Sequence, residues 1–364
     1  MTERNHKLRV LMLIPSMVKR NIAEATLKDE HPLMDYFLLQ ESLGADILDY
    51  STLESEAHPR FVRLAQRAGR DTALAALGYS RRNDYDVIFS NGENVSIPLS
   101  FFLKGHRKRP GHVLIGHRVS PQKKRPFFKW LHPQMDAIFL YSTPQLELAS
   151  RELGIPDSKL HLIPFHADSD FYRPALPSDV SRRMICSAGL EWRDYPTLIE
   201  AVREMDVEVC LAAASPWSKH KNETEKRELP SNVSARRYEY KELRTLYSDS
   251  RFVVVPLYEN DFQAGITTIL EGMSMGKAII TSKTSGQIDT IRHGENGLYV
   301  PPGDPVALRE AISHLLERPD EAERMGAQAR RDIEESMSLK HWANRIATVI
   351  CSLKGNPAKA EQSI

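Results

Sequence analysis

The residues best placed to do chemistry follow the apolar run FVVVPL, in the segment from Glu259 to Glu271: Tyr258, Glu259, Asn260, Asp261, Phe262, Gln263, Ala264, Gly265, Ile266, Thr267, Thr268, and then a helical pattern carrying Glu271. Gly265 lets the backbone approach a phosphate closely, and the N–H groups of Ile266, Thr267 and Thr268 have no partner within a first helical turn. Such a turn is an anion site, and it suits a diphosphate. Glu271, one turn deeper, is placed to accept hydrogen bonds from a ribose diol, as acidic residues do in other nucleotide-binding α/β folds. The plain alternative is a chain turn at Gly265 and a solvated Glu271.

Other reactive residue types argue mostly for what is absent. Cys186, Cys210 and Cys351 have no CxxC pairing or metal-ligand spacing and read as reduced thiols, and the histidines show no paired ligand spacing. Asp168, Ser169 and Asp170 spell an acidic DxD, but just before a linker-like stretch, so they read as structural. No metal and no cofactor are expected. The formal net charge of +1 gives no whole-chain argument for nucleic-acid binding. Locally, Lys104, Arg107, Lys108, Arg109, Arg118, Lys123, Lys124, Arg125 and Lys129 accumulate with Phe127, Phe128 and Trp130, and no acid lies between Glu93 and Asp136. Residues 104–130 therefore suit an anionic membrane surface serving a lipid-linked acceptor, with a clamp for an anionic acceptor or a solvated basic face as alternatives.

The elements that position these residues alternate short apolar runs with helical patterns. LRVLMLI, ADILDY, YDVIFS, HVLIGH, DAIFLYS and LHLIPF predict six strands, with a helix from Pro59 closing at Gly78 among the connections. After a linker at 173–183, MICSAG, EVCLAAA, NVSARRY, FVVVPL, KAIITS and GLYV predict six more. Two doubly wound parallel sheets follow, an α/β chain of two Rossmann-like domains. The 364 residues fit that division: 1–172, 184–337 and a flexible tail at 355–364. Two helices are expected in the tail, one capped by Asp304 and one with an apolar stripe of Leu339, Trp342, Ala343, Ile346 and Ile350. Asn91 and Glu93 fall at the carboxyl end of YDVIFS and read as acceptor-side groups. No apolar run is long enough to span a bilayer, and Val10 to Val18, interrupted by Pro15, reads as a buried strand rather than a signal sequence. A cytoplasmic protein, peripheral at the inner membrane face, is expected.

Segment by segment, the second half resembles the retaining GT-B glycosyltransferases of family 4. The carriers are VVVPLYENDFQAGITTILEGMSMGKAIITSKTSGQIDTIRHGENGLYVPPGD, SAGLEWRDYPTLIEAV and IPFHADSDFYRP, and the likeness covers roughly residues 136–350. It implies two facing Rossmann-like domains, a nucleoside diphosphate sugar (UDP- or GDP-linked) as donor co-substrate, a hydroxyl acceptor, and a terminal helix, 338–354, returning to the first domain. It implies that Glu271 holds the ribose, that Gly189 and Arg193 meet the diphosphate, and that His117 reaches the donor sugar. The catalytic set is then His117, Arg193 and Gln263, with Gly189, Arg193, Gly265, Ile266, Thr267, Thr268 and Glu271 binding the donor. Gln263 departs from the family, which carries Glu there; Gln hydrogen-bonds hydroxyls but holds no charge. Glu259 and Asp261 are substitutes for that acid. The implied activity is metal-independent sugar transfer with retention, in glycolipid, polysaccharide or other glycoconjugate biosynthesis. The rival readings are a catalytically silent sugar-nucleotide-binding scaffold and a GT-B epimerase or phosphorylase.

Overall fold

The structure, a computed structural model, describes residues 8–18, 22–55, 59–106, 108–175, 183–213 and 229–353. Most of the expected linker, Arg107 and the expected tail 355–364 lie outside the described residues.

The chain divides into two compact units. One takes in the chain up to Arg20, from Met34 to Ile163 and from Lys340 onward; the other takes in Asn21–Leu33 and Pro164–Leu339. The expected ranges differ in two respects: the division after the sixth strand falls at Ile163 rather than at 172, and the segment before Met34 belongs to the second unit. The second difference has a local cause. Asp29, at a left-handed φ of 57°, accepts paired hydrogen bonds from Arg244 at 2.8 and 2.8 Å and from Arg173 at 3.1 and 2.8 Å. Leu33 N donates to Asp168 Oδ2 at 2.7 Å.

In the first unit the strands are β1 (Val10–Leu13), β2 (Asp46–Leu48), β3 (Val87–Asn91), β4 (Gly111–Gly116), β5 (Ala137–Leu140) and β6 (Leu160–Leu162), in spatial order β2-β1-β3-β4-β5-β6. In the second they are β7 (Met184–Ala188), β8 (Glu208–Ala212), β9 (Val233–Arg236), β10 (Val253–Val255), β11 (Ile279–Ser282) and β12 (Gly297–Val300), in order β12-β11-β10-β7-β8-β9. Every strand pairing is parallel. A sheet covered on both faces needs strands that are apolar throughout, and β10 shows it: Val253 and Val255 enter one core layer and Val254 the other.

The helices depart from expectation where glycines have unexpected jobs. The helix expected from Pro59 to Gly78 is two, Pro59–Ala68 and Arg70–Ser80, broken at Gly69, whose φ of 89° and ψ of 157° end a helix. Gly78 lies inside the second because a Cβ there would stand 2.8 Å from Leu13 Cδ1. The C-terminal region holds three helices, not two: Pro305–Glu317, Pro319–Asp332 and Leu339–Ser352. The last buries Trp342 in the first unit, where its Nε1 donates to Tyr141 Oη at 3.2 Å.

Candidate active site

In the second sheet β7 and β10 are neighbours whose connections leave in opposite directions, to β8 on one side and β11 on the other. The carboxyl ends of such a pair form the crevice where doubly wound sheets bind ligands. Two loops meet there, 189–194 after β7 and 256–265 after β10. They are joined by a bridge between Arg193 and Leu257 and by the bonds Asp194 N to Pro256 O and Tyr258 N to Trp192 O, both 3.1 Å. Trp192 takes a left-handed φ of 58°, a strained choice for a bulky residue, and its ring meets Phe262 edge-on at 5.9 Å. Asp194 then caps the helix Tyr195–Val202 through Thr197 N at 3.1 Å.

Between these anchors the Arg193 side chain turns inward. Its Nε donates to Ala188 O at 2.8 Å, Nη1 to Glu191 O at 2.9 Å and Nη2 to Thr268 Oγ1 at 3.0 Å. A guanidinium has five N–H donors, so one hydrogen on each terminal nitrogen is left over. Gly189 is required by this packing, since a Cβ there would stand 2.6 Å from Arg193 Nη2. Gly265, at φ 77°, starts the helix Ile266–Ser274 and has Arg193 Nη1 3.2 Å from where a Cβ would lie.

The first helical turn corrects one expectation. Ile266 N is not free: it donates to Gln263 O at 3.4 Å. The N–H groups of Thr267 and Thr268 have no acceptor among the described residues. One turn on, Glu271 is buried rather than solvated, at 8% exposure, and its Oε2 accepts from Tyr247 Oη at 2.8 Å. Tyr172 faces the same carboxylate without the alignment of a full hydrogen bond. Burial pushes the Glu271 carboxyl up to about 7, against the lowering influence of the two tyrosines and Arg193. Burial likewise lowers the pKa of Arg193.

Gln263, in the loop after β10, has its Oε1 buried and lacking a hydrogen-bond partner. Its loop is stitched to the turn after β11: Ser285 Oγ and Gly286 N donate to Asn260 O at 2.9 and 3.0 Å, and Gln287 Nε2 to Ala264 O at 3.1 Å. Glu259, expected as a substitute acid, instead accepts from Ser285 N at 2.9 Å. Gly286 approaches so closely that a Cβ would fall 2.2 Å from Phe262 N.

The remaining candidates cluster in the first unit. Glu93 is 5% exposed and receives His117 N and Arg118 N, both at 3.1 Å, and Lys124 Nζ at 2.6 Å. These bonds give Glu93 a positioning role: it shapes the turn after β4 that presents the exposed His117. The His117 ring Nε2 lies 3.2 Å from Asn91 Oδ1. Asp168 accepts from Leu33, Asp170 and Phe171 N–H groups, a turn-forming job. Among the described residues no group of three or more His, Cys, Asp or Glu is placed to hold a metal ion, and no helix is long and apolar enough to cross a membrane. Sequence reasoning missed Tyr247 and Tyr172, which give no local signal because their partner is distant in the chain.

The two six-stranded sheets with their helices are those of the GT-B fold class. The chain superposes on sucrose-phosphate synthase from Thermosynechococcus elongatus with a TM-score of 0.71 at 17% identity, covering 96% of this chain and 99% of that one. It superposes on Anabaena HepE in complex with UDP-glucose with a TM-score of 0.69 at 16% identity, covering 95% and 100%. Residues 170–332, within the second unit, match the model of the family Glycosyl transferases group 1. In sequence the chain is 27% identical to D-rhamnosyltransferase WbpZ of Pseudomonas aeruginosa over 80% of this chain and 84% of that protein. It is 24% identical to the O-antigen chain mannosyltransferase C of Escherichia coli over 75% and 76%.

Proposed function

We propose that the chain is a retaining, metal-independent glycosyltransferase that moves a hexosyl group from a UDP- or GDP-sugar to a hydroxyl acceptor in glycoconjugate synthesis. The observation that carries the reading is the convergence of Gly189, Arg193, Gly265, Thr267, Thr268 and Glu271 at the β7–β10 crevice. The two spare Arg193 hydrogens and the Thr267 and Thr268 amides suit a diphosphate, and they stabilise the charge that develops as it leaves. Glu271 takes the ribose diol, and the orphaned Gln263 Oε1 takes a sugar hydroxyl. In the transfer step the bond from the sugar C1 to the phosphate oxygen breaks as the acceptor oxygen bonds C1 on the same face. The acceptor proton passes to the departing phosphate. His117, presented by Glu93 and Asn91, serves the sugar, and the protein works in the cytoplasm at a membrane surface.

The relatives named for rhamnosyl and mannosyl transfer, and a structural neighbour holding UDP-glucose, support the donor class. The test is a calorimetric screen of UDP- and GDP-sugars on the wild type and Glu271→Ala, followed by turnover with hydroxyl acceptors and NMR of the product anomer. Undiminished binding by Glu271→Ala removes the ribose assignment. Gln263, which holds no charge beside the reacting carbon, favours one rival, a silent sugar-nucleotide-binding scaffold; binding without turnover establishes it. Release of an epimerised sugar nucleotide or a sugar phosphate establishes an epimerase or phosphorylase.

A further inference from the structure

The first unit contains a cavity of about 770 Å³ that borders Glu93 and Lys124 and extends away from them between four helices. Its walls come from the helices Pro59–Ala68, Arg70–Ser80, Glu93–Leu103 and Arg125–Leu131, and its apolar lining is Ile97, Pro98, Phe101, Phe102, Phe127 and Leu131. At its mouth Phe101 is 56% exposed and Phe127 48%, with Trp130, 49% exposed, 6.0 Å from the Phe101 ring. Three aromatic rings left in water around one opening mark a binding surface.

The wall carries Asp71 and Glu93 beside Lys123 and Lys124. The acids in the wall are already engaged: Asp71 by the Tyr50 hydroxyl at 2.5 Å and Glu93 by Lys124 at 2.6 Å. Lys123 lines the cavity, and Lys104 sits 4.1 Å over the Trp130 ring. Lys104, Lys108, Lys123 and Lys129 have no acidic partner among the described residues. A hydrocarbon slot rimmed by unpaired ammonium groups and half-exposed aromatics is complementary to an amphiphile whose phosphate adjoins its chain.

We infer that this cavity binds the hydrocarbon chain of a membrane lipid phosphate, with Lys123 and Lys104 on the phosphate. Calling that lipid the sugar acceptor rests on the transferase reading; the binding itself does not. The test uses the full chain with monomeric dodecyl phosphate in calorimetry, against dodecyl maltoside and inorganic phosphate, and co-sedimentation with phosphatidylcholine vesicles with and without phosphatidylglycerol. Dodecyl phosphate should bind at least about tenfold more tightly than either comparison ligand, and sedimentation should require phosphatidylglycerol. Ile97→Trp, which fills the cavity, and Lys123→Glu should each weaken dodecyl phosphate about tenfold while leaving sugar-nucleotide binding unchanged. Phe127→Glu, at an exposed position, replaces Ile97→Trp if that variant does not fold. Equal binding of dodecyl maltoside, equal sedimentation with neutral vesicles, or variants that bind like the wild type would overturn the site. Variant-sensitive lipid binding by a protein that binds no sugar nucleotide would keep this site and remove the transferase reading.

Discussion

Arg193 Nη2 donates to Thr268 Oγ1 at 3.0 Å, and Thr268 Oγ1 in turn donates to Ala188 O at 3.2 Å, so the loop after β7 and the helix after β10 share one hydrogen-bond chain. The guanidinium is thus fixed before any ligand arrives, and on the proposed reading it is the preorganised fork for the diphosphate. Arg193→Met should weaken UDP and UDP-sugar binding by about tenfold to a hundredfold, the range of a charge-assisted hydrogen bond. Arg193→Lys should recover only part of that, since it restores charge without the fork. Calorimetry on both variants checks the ordering.

Glu271 gives a pH dependence whose sign is fixed by its burial. Its folded pKa, about 7, lies above its ordinary 4.5. The folded state therefore binds the proton more tightly than the unfolded chain, and that stability, roughly 3 kcal/mol as an upper bound, fades as pH rises from 4.5 through 7. Glu271→Gln should melt higher than the wild type at about pH 8, with the gain shrinking toward about pH 5. Thermal melts across that window check it.

On the proposed reading the same carboxylate accepts a ribose diol and is held ionised by the ligand. Nucleoside diphosphate binding should therefore release a proton below neutral pH and tighten as pH rises through 7. Calorimetry in buffers of different ionisation enthalpy measures the release; binding with no proton release at about pH 6 would place the ribose elsewhere.

If the proposed site is right, variants at Gln263 and Gly286 should separate sugar recognition from nucleotide recognition. Gln263→Ala should weaken a UDP-sugar about tenfold and leave UDP unchanged, because only the sugar reaches the orphaned Oε1. Gly286→Ala forces a Cβ to within 2.2 Å of Phe262 N and must displace that loop. It should cost about 1–3 kcal/mol of stability and weaken the UDP-sugar as well, which melting and binding read independently.

Asp29→Ala should lower the melting temperature at neutral pH by releasing Arg173 and Arg244 from their shared carboxylate. Those two guanidiniums hold the Asp29 carboxyl well below the usual carboxylate range. Its contribution is present above the ordinary carboxylate pKa and lost as pH falls through the depressed one, so the difference between variant and wild type should vanish in strong acid.

The central strands were legible because a parallel sheet buried on both faces writes them as continuous apolar runs, and YDVIFS and FVVVPL need nothing distant to be read; the edge strands β2, β6 and β9 are partly exposed and were read from the alternation around them. Gly265 and the threonines after it were legible for a similar reason: a glycine between a strand and a helix is a local backbone event. Gly78 misled, because its small size serves Leu13 and not a helix end.

The amino-acid sequence by itself determined the alternation of elements, the glycine turn at 265 and the identities of Arg193 and Glu271. Only the tertiary structure decided what those groups have left to offer. It spent three of Arg193's hydrogen bonds on carbonyls and Thr268, took Ile266 N for Gln263 O, turned Glu93 inward beneath His117 and raised the pKa of Glu271 by burying it, against the lowering influence of Tyr247 and Tyr172. The physical reason is that protonation and free hydrogen-bonding capacity depend on solvent exclusion and on partners that the chain brings together from far along its length, and a linear pattern encodes neither.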